Sequence, residues 1–364
     1  MKILYITNGI GGAGGLERVL AIKASYLAEH KNHEVHILTL NQNPDTIFYE
    51  FSPKVIYHNI VVNGNPLRYI LQYSRGMKSV VNKIKPDVIS VCDDGLKGFF
   101  LPIILSKPCP MIYERHVSKI ISLGPNPGFV KRMVSGFKFS LMNFLAKRYD
   151  RFVVLTNDNL PEWNLNNAIV IPNPLSFYPQ ESSSLEDKKV LAVGKQGFQK
   201  GYDRLLKSWE IVNDKHPDWI LEIYGKHDAS EKLGELAKQL NIENSVHFFD
   251  PVKDIEKKYL ETSIYVMSSR FEGFGMVLTE AMACGVPCIS FNCPCGPSDI
   301  ISHGTDGFLI ENGDTEIFAK AIQTLIENDD LRKEMGQRAK ENARRFLPEI
   351  IVGEWDTLFK SLQR

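Results

Sequence analysis

The chain predicts an α/β protein built from two similar domains in series. Three observations carry that reading. Its 364 residues are enough for two domains of about 150 each with a full apolar core. An apolar strand at residues 2–7 opens into a glycine-rich turn at 8–15 and a segment of helical spacing at 16–28; strand, turn and helix begin again at 189–213. Between them, prolines on either side of Asn173 and a Ser/Glu/Asp-rich run at 180–189 mark a boundary.

Composition narrows the class. The apolar and charged fractions, 43% and 24%, are those of a globular protein in water, and nothing approaches the 18 consecutive apolar residues of a helical membrane span. The opening MKILYITNG has a short apolar run that leads straight into a turn, which reads as a first strand and not as a signal peptide, so the expected location is the cytosol. Six cysteines fit reduced thiols: Cys284, Cys288, Cys293 and Cys295 cluster, but without the spaced C-x2-C pairs of structural zinc. Charge is divided. Residues 1–175 carry 20 Lys+Arg against 12 Asp+Glu, net +8, and residues 176–364 carry 23 against 31, net −8. The basic residues of the first half do not interleave with stacking aromatics, so nucleic acid is not an expected partner.

In order, 2–7 is a strand, 16–28 a helix and 35–40 a second strand, a βαβ opening. Gly9, Gly11 and Gly14 satisfy the dinucleotide fingerprint, but the second strand ends Thr39-Leu40-Asn41-Gln42-Asn43 with no acid for a ribose, which argues against nicotinamide or flavin. A glycine turn that binds another ligand's phosphate survives that test. His33 and His36 lack metal-ligand spacing and read as turn and strand residues. A strand at 86–92 leads to Asp93 and Asp94, either a paired metal-binding acid or, more commonly for strand ends, caps and solvated turns. Another at 110–116 ends in Arg115-His116. Segment 129–151 repeats apolar residues (Phe129, Val130, Met133, Phe137, Leu141, Phe144) near helical spacing among Lys131, Arg132, Lys138, Lys147, Arg148 and Arg151. It reads either as an amphipathic helix on an anionic membrane surface or as a core helix with a solvated basic face. Strands at 152–156 and 168–171 close the first half.

The second half opens with a strand at 189–194 and a helix at 204–213. Lys195 and Lys200, five apart in a glycine-flanked turn, can converge on a diphosphate. Strands at 219–225, 246–252 and 264–269 alternate with helices at 233–240 and 256–261. Then comes SRFEGFGMVLTEAMACGVPCISFNCPCGPSDIISHGTDGFLIENGD, residues 269–314. Glu272 sits in its glycine turn and Glu280 eight positions on, in an Ala/Met-rich helix that a Gly-x-Pro stop ends before a strand at 288–291. Free N–H groups at such a helix start can hold a phosphorylated sugar while the carboxylates accept its hydroxyls. Helices at 315–327, 331–346 and, after Pro348, 349–362 complete the chain.

The Glu272-x7-Glu280 string with its GPSDII, GTDGFLI and GD tail closely resembles the retaining glycosyltransferases of family 4, and the likeness covers nearly the whole chain, more thinly over 41–150. It implies the GT-B fold: two Rossmann-like domains facing across a cleft, at 1–172 for the acceptor and 173–346 for the nucleotide-sugar, with a C-terminal helix at 347–364 packing back on the first. It implies transfer of a hexose or N-acetylhexosamine from a nucleoside-diphosphate sugar, with UDP the nearest match, to a glycan or polyprenyl-diphosphate-linked acceptor in bacterial surface polysaccharide or lipopolysaccharide synthesis. Configuration would be retained and no metal or other cofactor required. The resemblance assigns Glu280 to the ribose, Glu272 to a sugar hydroxyl and His116 to the donor sugar. It gives Val252 to the base and the amides of Phe274, Gly275, Met276 and Val277 to the sugar and diphosphate. Lys195, Lys200 and the turn with Gly12, Gly14 and Gly15 would take the departing diphosphate. Lys195 stands where the family commonly has Arg, so the bidentate guanidinium contact is missing. A basic, membrane-facing first half suits a lipid-linked acceptor and peripheral attachment to the inner face of the plasma membrane. Two other classes remain. A GT-B epimerase or phosphorylase lacks its Arg/His set and cofactor-lysine motif here, and an inactive partner subunit would not need the intact Glu272, Glu280, Lys195 and Lys200.

Overall fold

The computed structural model describes residues 1–12, 14–42, 47–119 and 128–363. Ala13 of the glycine turn and Asn43 beyond the second strand lie outside them. The chain divides into two compact units, Met1–Ser176 with Pro348–Arg364, and Phe177–Leu347.

The first unit holds seven strands: β1 (Lys2–Thr7), β2 (Glu34–Leu40), β3 (Ile56–Ile60), β4 (Val88–Cys92), β5 (Met111–Glu114), β6 (Arg151–Val154) and β7 (Ala168–Val170). They form one parallel sheet in the order β3-β2-β1-β4-β5-β6-β7. The second unit has β8 (Lys189–Val193), β9 (Ile220–Tyr224), β10 (Val246–Phe249), β11 (Ile264–Met267), β12 (Cys288–Phe291) and β13 (Gly307–Ile310), also parallel, in the order β10-β9-β8-β11-β12-β13. Both are doubly wound Rossmann-like sheets whose order reverses at β1/β4 and β8/β11. Parallel strands covered on both faces must be apolar throughout, and β4, β11 and β12 are buried along their whole length.

Several elements differ from the sequence pattern. Between 41 and 85 lie β3 and a helix, Pro66–Ile84, capped by the Asn65 side chain on the Arg68 amide at 2.9 Å; neither was expected from the sequence. The helix expected at 129–151 runs Phe129–Ala146, and Arg151 already belongs to β6. Its core-helix reading holds only at the end, where Met142, Leu145 and Ala146 are buried, while Phe129 and Phe137 are 77% and 74% exposed.

Helix Pro348–Ser361 starts on proline, which costs no hydrogen bond at a first helical position. It packs against helix Gly15–His30 within the first unit. Its Asp356 carboxylate meets His33 at 2.7 Å, Phe359 packs edge-on to Tyr5, and the Trp355 ring lies 3.8 Å from the Lys23 ammonium. His33 is therefore a buried tie between the ends of the unit as well as a turn residue.

Candidate active site

In doubly wound sheets, ligands bind beyond the strand ends where the order reverses. In the second unit, that point is shared by the turn after β8, carrying Lys195 and Lys200, and the turn after β11, carrying Glu272. Side chains lash the two together. The Lys200 ammonium pairs with Glu272 at 2.7 Å, and the Ser269 hydroxyl donates to the same carboxylate oxygen at 2.5 Å. Arg270 forks onto Asp203 at 2.9 and 2.7 Å, donates to the Phe198 carbonyl at 2.8 Å and lies over the Phe198 ring. Burial alone would raise the Asp203 carboxyl; the Arg270 guanidinium outweighs it and holds it below its usual range. The Ser268 hydroxyl donates to the Lys200 carbonyl at 2.8 Å. Gly201 has φ +63°, and any Cβ there would strike the Ser268 carbonyl, so the approach of the two turns requires glycine.

Glu272 is further fixed by its own amide, which donates to the Pro294 carbonyl at 3.1 Å. Helix Met276–Ala283 starts immediately after, capped by Gly275 at φ +99°, so Phe274, Gly275, Met276 and Val277 lie at its N-terminus, where amides lack helical partners. Gly296, at φ +132°, leaves room for the Phe274 carbonyl, only 1.9 Å from where its Cβ would be. Glu280 is 1% exposed in that helix and accepts from the Tyr259 hydroxyl at 3.2 Å. Val252 lies beyond the end of β10 and is 40% exposed.

The two lysines do not converge. Lys195 is exposed and lies 3.7 Å from Asp228, beyond β9, while Lys200 is spent on Glu272. The expected cationic pair is thus two cations on separate carboxylates. The thiols nearby are inert, because burial pushes Cys284, Cys288 and Cys293 upward and keeps them protonated. All six cysteines are free.

At the first unit's reversal point, Asp93 is a structural cap: its carboxylate accepts from Asn8 at 2.6 Å and from the Gly95 and Gly98 amides at 2.6 and 3.1 Å. The glycine turn leads into helix Gly15–His30, and the Glu17 carboxylate lies against Gly12 and Gly14. That turn is therefore covered by the chain's own anion.

His116 follows β5. Its amide donates to Asp94 at 3.2 Å, its Nε2 lies 3.4 Å from the Glu114 carboxylate, and its buried Nδ1 has no hydrogen-bond partner. Glu114 is wholly buried. It pairs closely with the Lys23 ammonium and accepts from the Ser90 hydroxyl at 2.5 Å. Burial by itself would raise its carboxyl, but the Lys23 charge, followed by His116, brings it down to about 2. Cys92, Glu114 and His116 offer ligand atoms within 4.8 Å of one another. With Lys23 on the carboxylate and burial holding the Cys92 thiol protonated, the trio suits internal pairing better than a cation. Sequence reasoning missed Lys23, Ser90, Glu114, Asp203, Ser269 and Arg270. Only Lys23 left a trace, as a charge on the apolar stripe of its helix.

Residues 13–175 match the family model described as Glycosyltransferase Family 4, and residues 177–342 match Glycosyl transferases group 1. A Haemophilus influenzae protein described as a glycosyltransferase is 31% identical over 365 residues, covering 97% of this chain and 98% of its own. The chain belongs to the family 4 glycosyltransferases. It is 22% identical over 347 residues to the lipopolysaccharide 1,6-galactosyltransferase of Escherichia coli K12, with 90% of each chain covered. Among solved structures, Anabaena Alr3699/HepE in complex with UDP superposes with a TM-score of 0.79 at 19% identity over the full length of both chains. The transferase thus has the GT-B pair of Rossmann-like sheets, and its relatives include bacterial enzymes of lipopolysaccharide synthesis.

Proposed function

We propose that this glycosyltransferase moves a hexose or N-acetylhexosamine from a UDP-sugar to a glycan or lipid-linked acceptor in bacterial surface polysaccharide synthesis, with retention of configuration and without a metal. The observation that carries the reading is the Lys200–Glu272 pair at the N-terminus of helix Met276–Ala283. On donor binding, the Lys200 ammonium passes from Glu272 to the diphosphate and Glu272 is released to accept a sugar hydroxyl. Lys195 leaves Asp228 for the same diphosphate, with the 274–277 amides as further donors. Preorganised charge aimed at the leaving group is the catalytic effect. Glu280 accepts from the ribose and Val252 lies at the base. The first unit binds the acceptor, and His116 accepts a hydrogen bond from a substrate hydroxyl. The UDP assignment draws support from the UDP-bound fold neighbour.

The test is a thermal-shift panel of UDP-, GDP-, ADP- and CMP-sugars without added metal. UDP-sugars should raise the midpoint, by the equivalent of about 2.7 kcal/mol at a hundredfold excess over Kd, and should fail to do so in Lys200→Ala and Glu280→Ala. No shift with any sugar nucleotide refutes the reading.

The same proposal places the first unit on an anionic membrane from the cytosolic side. Helices Pro66–Ile84 and Phe129–Ala146 contain no Asp or Glu, expose Leu67, Ile70, Phe129, Met133 and Phe137, and interleave Arg68, Arg75, Lys131, Arg132 and Lys138. Exposed apolar side chains among cations suit a negatively charged bilayer surface. No described helix is long and apolar enough to cross a membrane. Sedimentation with phosphatidylglycerol vesicles at low salt, weakened in Phe137→Glu, is expected; its absence overturns this part.

A further inference from the structure

Glycosyl transfer does not explain why this chain keeps an ammonium and a carboxylate 1% and 2% exposed in the core of its first unit. Both charges lose their hydration, and an apolar pair of the same volume is commonly as stable. The pair does not stand alone. Lys23 lies between the rings of Trp355 at 3.8 Å and Tyr5 at 5.1 Å, so three sides of its ammonium are spoken for. One Glu114 oxygen takes the Ser90 hydroxyl, and the other takes both Lys23 and Nε2 of His116. Of these three donors, the imidazole alone carries a second ring nitrogen that can meet another group. The opposite ring nitrogen, Nδ1, is buried and unpartnered. A bare lone pair there waits for a donor; an N–H would be an orphan.

We infer that Glu114, held by Lys23 and Ser90, is a positioning residue for His116: it accepts the Nε2 hydrogen, fixes the Nε2–H tautomer and presents Nδ1 as an acceptor for a substrate hydroxyl. The hydrogen bond made by one ring nitrogen decides what the other can do. A carboxylate pinned by an ammonium can only accept, so the proton stays on Nε2. Trp355 makes the arrangement depend on helix Pro348–Ser361, which closes over Lys23. This deepens the transferase reading, on which the role of His116 rests.

The experiment uses the full chain labelled with 15N-histidine, with the His116 ring assigned by its loss in His116→Gln. The expected spectrum of the uncharged ring is that of the Nε2–H tautomer. An Nδ1–H ring or an even mixture of tautomers overturns the inference, whatever the turnover. The second arm is Lys23→Met/Glu114→Met, which exchanges the ion pair for an apolar pair and so keeps the core filled. The expected result is a folded protein with mixed His116 tautomers and at least tenfold lower turnover of UDP-sugar. A folded double variant with wild-type turnover refutes the positioning role. A wild-type protein that turns over no sugar nucleotide but shows the Nε2–H ring refutes the transfer reading and leaves the geometry standing.

Discussion

Glu114→Met alone removes the carboxylate and strands the Lys23 ammonium in the core. Two routes give the cost. The carboxyl sits at about 2 against an ordinary 4.5, and at about 1.4 kcal/mol per unit this corresponds to stabilisation on the order of 3 kcal/mol. Removing one member of a buried pair typically costs about 3–5 kcal/mol, so the routes agree. The sign follows from the depressed value: the contribution is complete above about pH 4.5 and is lost as pH falls towards 2. Because the chain has two units, one global midpoint would blur the effect, and hydrogen exchange of the β4 and β5 amides is the better assay. At neutral pH the single variant should exchange there about a hundredfold faster, with the second unit unchanged. Adding Lys23→Met should restore protection to within about tenfold of wild type. Single-variant exchange within threefold of wild type, or a double variant no better than the single, would refute the reasoning.

Other perturbations probe the second unit. Lys200→Met should lower turnover by about 10²–10³, the usual loss for one preorganised electrostatic donor, read under saturating UDP-sugar. Gly296→Ala forces a side chain into φ +132° against the Phe274 carbonyl and should cost at least about 2 kcal/mol, seen as a lower melting midpoint of the second unit. Arg270→Lys keeps the charge but loses the fork on Asp203. It should cost about 1–2 kcal/mol and raise the donor KM, because the two turns are no longer clamped.

Strands buried on both faces were plain in the sequence because they are unbroken apolar runs, and the glycine turns and the 269–314 string located the loops that follow them. β3 was not, because four of its five residues are half-buried or exposed. Helix Pro66–Ile84 was missed although Leu67, Ile70, Met77 and Val81 recur on one stripe, of which the first two are exposed and the last two buried. At the site, residue types were legible and partnerships were not. Lys23 and Glu114 are 91 positions apart, and Lys200 and Glu272 are 72 apart. Spacing placed Lys195 and Lys200 in one turn but gave no sign of the separate carboxylates, Asp228 and Glu272, with which they pair.

The return of residues 348–361 to the first unit sets an order of events during synthesis. The second unit is continuous in sequence, from Phe177 to Leu347, and can close as soon as it leaves the ribosome. The first cannot, since Trp355, Asp356 and Phe359 are translated after all of it. At about 5–20 residues per second the intervening stretch takes on the order of 10–30 s. For that time Lys23 lacks its covering ring and His33 its carboxylate. The first half to emerge is therefore the last to be finished, and a premature stop just before Trp355 would spoil the beginning of the protein rather than its end.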